Sequence, residues 1–169
     1  MMPERAKPKI PVLEAALKLL DRRACSEREL AARLRRAGYP PAECSHAVSE
    51  CRRMGFVNDE LLAADCTGMM MSRGSGSRMI QWKLRQRGLP PEAVSSALRE
   101  HAADEPEAAR SALEMKWRLL ARESDPRRKR EKALRFLLGR GFPPDLVRRV
   151  WEEFRSAAHD AADDDGTDW

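Results

Sequence analysis

Residues 33–41 read Arg-Leu-Arg-Arg-Ala-Gly-Tyr-Pro-Pro, residues 83–91 Lys-Leu-Arg-Gln-Arg-Gly-Leu-Pro-Pro, and residues 136–144 Phe-Leu-Leu-Gly-Arg-Gly-Phe-Pro-Pro. These are three copies of one pattern, with Gly38, Gly88 and Gly141 spaced 50 and 53 residues apart. Self-similarity at such a period marks a repeat architecture. Leu34, Leu84 and Leu137 stand four residues before each glycine, where they fall on the last turns of a helix. The glycine supplies the left-handed position that ends the helix. Tyr39, Leu89 and Phe142 follow as apolar plugs against the helix just finished. The first proline blocks continuation, and the second, at Pro41, Pro91 and Pro144, is pre-set for the first position of a new helix. The pattern therefore predicts helix, tight turn, helix, three times over.

The helices after the turns keep register. Cys44, Val94 and Val147 fall six residues after the glycine, Val48, Leu98 and Trp151 ten, and Cys51, His101 and Phe154 thirteen. Steps of four and three build one apolar stripe. Upstream, Val12, Leu13, Ala16, Leu17 and Leu20 recur at helical spacing, and Ser26-Glu27-Arg28-Glu29 is a capping box opening the next helix. Asn58 caps a helix through Leu61 and Leu62 toward Cys66. Pro106 opens one carrying Ala109, Leu113, Met115, Leu119 and Leu120, and Pro126 opens a basic one leading to Leu138. Runs of β-branched residues are absent, so the expected fold is all-α. It consists of three tandem three-helix repeats in an elongated array, each unit touching only its neighbours. The expected division is a disordered N-terminus over 1–11, repeats over 12–67, 68–121 and 122–156, and an acidic flexible tail over 157–169. Gly68 to Ser77, rich in glycine and serine, reads as the one internal mobile link. Met69, Met70 and Met71 either carry the preceding helix into the core or form an adaptable surface.

Charge narrows the partners. The chain has 169 residues and a formal net charge of +5, but its tail holds Asp160, Asp163, Asp164, Asp165 and Asp168 with no lysine or arginine. Without those five acids residues 1–159 carry +10. A basic body suggests a polyanionic partner, although a solvated helical surface rich in arginine reads the same way. No apolar run approaches the roughly 20 residues of a membrane span, and no apolar stretch follows the basic N-terminus, so a cytosolic protein is expected. Cys25, Cys44, Cys51 and Cys66 form no tight ligand pair. Although Cys44 and Cys51 share a helix face near His46, they read as buried apolar thiols rather than a metal site. No cofactor is expected.

Three turns taken in order resemble the RecX family of recombination regulators. The first unit offers Ser26-x-x-Glu29-Leu30-x-x-x-Leu34 and then Gly55-Phe56-Val57-Asn58-Asp59-Glu60. The middle unit offers Ser72-Arg73-Gly74 through Arg78-Met79-Ile80, Leu84 and Arg87-Gly88-Leu89. The last offers Lys132, Leu137 and Arg140-Gly141-Phe142. The resemblance covers about residues 12–154. The chain departs from the family at Leu61 and Leu62, where an aromatic followed by alanine is usual, and at Lys83, where glutamate is usual. The resemblance implies three three-helix repeats in a curved, extended molecule. It also implies inhibition or modulation of the RecA recombinase from the groove of the RecA–DNA filament. The partners it implies are the RecA filament and the DNA phosphate backbone, single-stranded within the filament. An open array requires no dimer, so a monomer is expected.

Two basic clusters are the candidate contacts. Between Asp65 and Glu92 the chain has no acidic residue but holds Arg73, Arg78, Lys83, Arg85 and Arg87. Cations without nearby carboxylates suit phosphate, and a helix N-terminus near Arg78 would add backbone donors. The second cluster is Arg127, Arg128, Lys129, Arg130 and Lys132, followed by Arg135, diluted by Asp125 and Glu131. Its position at a helix start opposes the helix dipole, so its benefit to the fold is less obvious. Arg148 and Arg149 are weaker candidates. Trp82, among the basic residues, either stacks on bases or packs against a neighbouring helix, whereas Trp151 belongs to a core stripe. No nucleophile–base order or phosphate-binding loop stands out, so a non-enzyme is expected. The competing reading is an autonomous DNA-binding protein of helix-turn-helix type. It would need a polar recognition helix after a turn, and the stripes there are apolar.

Overall fold

The computed structural model describes residues 10–164, with side chains through residue 157. Those residues form nine α-helices and no strand. In order they are α1 (Val12–Arg22), α2 (Glu27–Arg36), α3 (Pro41–Arg53), α4 (Asp59–Ser72), α5 (Ser77–Gln86), α6 (Pro91–Glu100), α7 (Glu105–Leu120), α8 (Pro126–Gly139) and α9 (Pro144–Asp164). The all-α expectation holds. The expected disorder over residues 1–9 and the end of the acidic tail lie outside the described residues. α9 continues as helix to Asp164, and Ile10 is placed by the Tyr39 hydroxyl, which donates to its carbonyl at 2.8 Å.

Local chemistry sets the helix starts. At α2 the capping box is complete: the Glu29 N–H donates to Ser26 Oγ at 3.1 Å, and the Ser26 N–H donates to Glu29 at 3.3 Å. Asn58 accepts the Leu61 N–H at 2.8 Å, and Asp125 accepts the Arg127 N–H at 2.9 Å. Pro41, Pro91 and Pro144 each occupy the first position of a helix.

The three glycine turns are Schellman motifs. Gly38, Gly88 and Gly141 have φ of +99°, +77° and +87°. The next residue's N–H reaches back to the buried leucine: Tyr39 to Leu34, Leu89 to Leu84 and Phe142 to Leu137, at 3.2–3.3 Å. All six of these side chains are buried. The apolar contact and the backbone closure thus act on the same residue pair.

Two cores follow from the stripes. In α1–α3, Ala16, Leu30, Leu34, Tyr39, Cys44, Val48 and Cys51 pack together. In α7–α9 the core is Ala109, Leu113, Leu120, Leu137, Phe142, Val147, Val150 and Trp151. The expected division at 121/122 runs between α7 and α8, which share this second core. The physical reason is that the stripes of α8 and α9 face one another across the Gly141 turn and need a third helix to cover them. Met115 and Leu119, counted in the α7 stripe, are instead 67% and 56% exposed. The chain divides into two compact units. One holds the chain through Cys66 together with Lys83–Ala97, and the other holds Thr67–Trp82 together with the chain from Leu98 onward.

Each unit contains the same linkage. In the first, Ser26 Oγ donates to the Arg87 carbonyl at 2.6 Å, and the Arg87 guanidinium donates to the Ala24 carbonyl at 3.1 Å. In the second, the Gly76 N–H donates to the Arg140 carbonyl at 2.8 Å and the Arg78 N–H to the Gly141 carbonyl at 3.0 Å. The Arg140 guanidinium returns to the Arg73 and Gly74 carbonyls, at 3.1 Å each. Ala24 and Gly74 are 50 residues apart and Arg87 and Arg140 are 53 apart, the same intervals that separate the turn glycines. The loop before one helix is thus held on the glycine turn of a later pair.

This linkage explains the glycines of the stretch read as a mobile link. Gly68 lies inside α4, where a Cβ would stand 3.1 Å from the His101 ring. Met71 is buried, so the helix carries it inward, while Met69 is half exposed. Only Arg73–Gly76 form a turn, closed by the Gly74 and Ser75 N–H groups on the Met71 and Met70 carbonyls. At Gly76 a Cβ would stand 2.3 Å from the Phe142 nitrogen, a backbone atom that cannot move aside. Replacing Gly76 by alanine is expected to destabilise the protein by about 3 kcal/mol or more. Gly139→Ala, where nothing lies within 4 Å, is expected to stabilise it by about 0.5 kcal/mol. Urea unfolding of both variants checks the contrast, and equal effects would show that the close approach is not tight.

Candidate functional site

The ten candidate cations divide according to what their side chains touch. Arg73, Arg78, Lys83 and Arg85 are exposed, and none has a carboxylate partner among the described residues. Arg73 and Arg78 lie in the second unit, and Lys83 and Arg85 in the first. In the second cluster Arg127, Arg130 and Arg135 are likewise exposed and their side chains form no ion pair among the described residues. Arg128 pairs with Asp125 at 3.6 Å, and the Lys129 ammonium stands 5.8 Å over the Trp117 ring. The neighbouring Lys132 is paired with Glu123.

Arg87 has a different task. Its guanidinium is three-quarters buried and donates to both Glu29 oxygens, at 3.3 and 3.1 Å, to Cys66 Sγ at 2.9 Å and to the Ala24 carbonyl. Burial alone would push the Glu29 carboxyl up. The Arg87 hydrogen bonds and charge, with the Ser26 N–H and Arg23, outweigh that and hold it below its ordinary 4.5. The stretch from Asp65 to Glu92 lacks an acid in sequence, but folding brings Glu29 to it from 58 residues away. Arg87 is thus placed in the fold's own linkage and its donors are occupied there.

The backbone donors expected at the start of α5 are also occupied. The Ser77 N–H donates to Glu105 at 2.6 Å, and the Gly76 and Arg78 N–H groups donate to the Arg140 and Gly141 carbonyls. A carboxylate already sits where a phosphate would bind. The cationic face therefore rests on side chains and not on that helix end.

The tryptophans separate as well. Trp151 is buried against Trp117, whose ring also meets Phe154 at 4.8 Å. Trp82 is 59% exposed on α5. It lines a shallow cleft with Arg78, Met79, Leu138 and Gly141. The packed alternative for Trp82 does not hold. Two residues are not among the candidate contacts read from the sequence: Arg140, whose guanidinium ties the Arg73–Gly74 turn and stands 5.1 Å from the Phe136 ring, and Leu138, which is 44% exposed. The Arg-Gly dipeptide shared by 87–88 and 140–141 was the available signal for Arg140. All four cysteines are buried free thiols, and burial pushes those of Cys44 and Cys51 up, which keeps them protonated and unreactive. No described helix is long and apolar enough to cross a membrane.

A helical chain of three-helix units with a set of exposed cations has the form of a repeat-built helical protein. Comparison with known proteins gives that class a family. The model of the first three-helix domain of RecX matches residues 13–51, and that of the third three-helix domain matches residues 103–151. The regulatory protein RecX of Legionella pneumophila (strain Corby) is 30% identical over 145 residues, covering 85% of this chain and 95% of its own. That of Chlorobaculum tepidum is 32% identical over 143 residues, covering 84% and 87%. The crystal structure of RecX from Lactobacillus salivarius superposes with a TM-score of 0.77 at 21% identity, over 84% of this chain and 93% of that one. The chain belongs to the RecX family of regulatory proteins.

The Glu29–Arg87 pair has a defined pH signature. A carboxyl held below its unfolded value contributes stability that is present above about pH 4.5 and is lost as pH falls through the lowered value. Glu29→Gln is expected to cost about 2 kcal/mol near neutral pH. The gap from wild type should shrink as pH falls below that range. Burial pushes the Asp59 carboxyl up, and the charges of Glu27, Glu60 and Glu29 add to this, so Glu29→Gln also relieves Asp59, which offsets a small part of that cost near neutral pH. Urea unfolding at a series of pH values checks this, and a gap independent of pH would mean the pair adds nothing electrostatic.

Proposed function

We propose that this protein binds the RecA–DNA filament and inhibits or modulates recombinase activity, both ATPase and strand exchange, in DNA repair and recombination. The observation that carries the reading is the set of seven exposed cations, Arg73, Arg78, Lys83, Arg85, Arg127, Arg130 and Arg135, with no carboxylate partner among the described residues of a chain whose family is regulatory. Each such side chain can neutralise a phosphate and release condensed counterions. Singly these contacts are weak. Presented from repeated helical units, they add through multivalency along a polymer that itself repeats. Occupancy of the filament is enough to hinder subunit addition, nucleotide turnover or strand access, so the protein acts without an active site of its own. It works in the cytosol, where the DNA is.

Titration of RecA ATPase on single-stranded DNA tests this. The wild type is expected to inhibit at less than one copy per recombinase subunit. The Arg78→Ala/Lys83→Ala/Arg85→Ala variant is expected to need about tenfold more protein, with a salt dependence shallower by about 1 for each phosphate it no longer neutralises. Unchanged inhibition in the variant would remove these cations from the interface. Absence of inhibition by a wild type that still binds DNA tightly alone would favour the autonomous DNA-binding reading.

A further inference from the structure

The second unit displays an aromatic surface that its own core does not use. Trp82 is 59% exposed and Leu138 44% exposed, and with Met79, Gly141 and the stem of Arg78 they line an open cleft of about 330 Å³. An indole buries much apolar area when covered, so one left this open in a chain with few aromatics is a candidate contact. The cleft floor is rigid. Gly141 is held by the Arg78 N–H at its carbonyl, and a Cβ there would stand 2.4 Å from the Met79 nitrogen, so the turn and the start of α5 cannot slide apart.

The charges of this unit select the occupant. Arg78, one helical turn before Trp82, and Arg73, at the turn preceding α5, are exposed with no carboxylate partner among the described residues. The nearest acid to the start of α5, Glu105, is already engaged by the Ser77 N–H. The Arg140 guanidinium is taken up by the Arg73 and Gly74 carbonyls and the Phe136 ring, so it does not compete for a ligand. A flat apolar ring with the uncompensated Arg78 cation on the rim of its cleft suits a ligand that is planar and apolar on one face and anionic beside it. A helix-buried duplex base cannot present its face in this way, whereas an unstacked base on a single strand can.

We propose that Trp82 is a stacking platform for one base of single-stranded nucleic acid, with Leu138 and Met79 closing the side of the cleft and Arg78 taking a neighbouring phosphate. This deepens the filament reading above, since it names the component of the filament that the second unit touches. Recognition through a ring face is tolerant of base identity, which suits a protein that must act wherever a filament forms.

The test measures binding of the full-length protein, without recombinase, to a thymidine oligonucleotide and to one of equal length carrying abasic sites. Wild type should favour the base-bearing strand by about tenfold. Trp82→Ala should lose that preference and bind both strands as the wild type binds the abasic one, while Trp82→Phe should restore most of it. Arg78→Gln should instead weaken both strands alike and lower the salt slope by about 1. Equal wild-type affinity for the two strands, or full base preference in Trp82→Ala, would overturn the proposal. RecA ATPase inhibition measured in parallel separates the two readings. If Trp82→Ala weakens inhibition but leaves base preference intact, Trp82 meets protein and the stacking site is refuted while the regulatory reading stands.

Discussion

The structure hangs on the contact between an arginine–glycine turn and the loop that precedes an earlier helix. At Gly76 and Gly141 two backbones meet with no room for a Cβ on either side. Hydrogen bonds run in both directions across that meeting, from the Gly76 and Arg78 N–H groups one way and from the Arg140 guanidinium the other. The first unit makes the same contact with Ser26, Ala24, Arg87 and Gly88. Small groups of helices of this kind bury too little apolar surface to be stable alone. A polar contact that fixes a loop on a turn within each unit therefore does more than decorate the surface. Arginine suits it because a planar guanidinium can satisfy two carbonyls, or both oxygens of a carboxylate, from one position.

That contact also sorts the positive charge. Arg87 and Arg140 precede a turn glycine and direct their donors to carbonyls, a carboxylate or a thiol of their own unit. Ala37, which precedes Gly38, offers no such donor. Arg78, Lys83 and Arg85 project from the same helix as the linkage, and their side chains take no part in it. Net charge counts all of these alike, so it overstates what is available to a partner. A half-buried, hydrogen-bonded arginine is already desolvated and would have to break its bonds to reach a phosphate.

The fold was largely legible because its signals are local. A glycine that must adopt positive φ, a proline at a helix start, a serine three residues before a glutamate and a leucine four before a glycine each act within one turn of chain. The boundary between the second and third repeats was not legible. The glycine turn marks the middle of a helix pair and says nothing about which third helix covers it, and α7 carries Leu113 inward and Met115 outward on opposite faces that are both partly apolar, so periodicity does not choose the buried one. The Gly68–Ser77 stretch misled for a related reason. Glycine serves both flexibility and close approach, and only the partner, His101 or the Phe142 backbone, distinguishes them.

The candidate site was legible to the extent that its charges act alone. Arg78, Lys83, Arg85, Arg127, Arg130 and Arg135 could be picked from their sequence neighbours, since no acid pairs with them among the described residues. Arg87 and the N-terminus of α5 could not, because Glu29 and Glu105 reach them from 58 and 28 residues away. The exposure of Trp82 depends on the same geometry. With the start of α5 pinned to the Gly141 turn, the indole one turn further on stands at the open cleft beside Leu138 of α8, and both side chains are left exposed. The tight backbone contact thus fixes both what the unit buries and the aromatic face it leaves exposed.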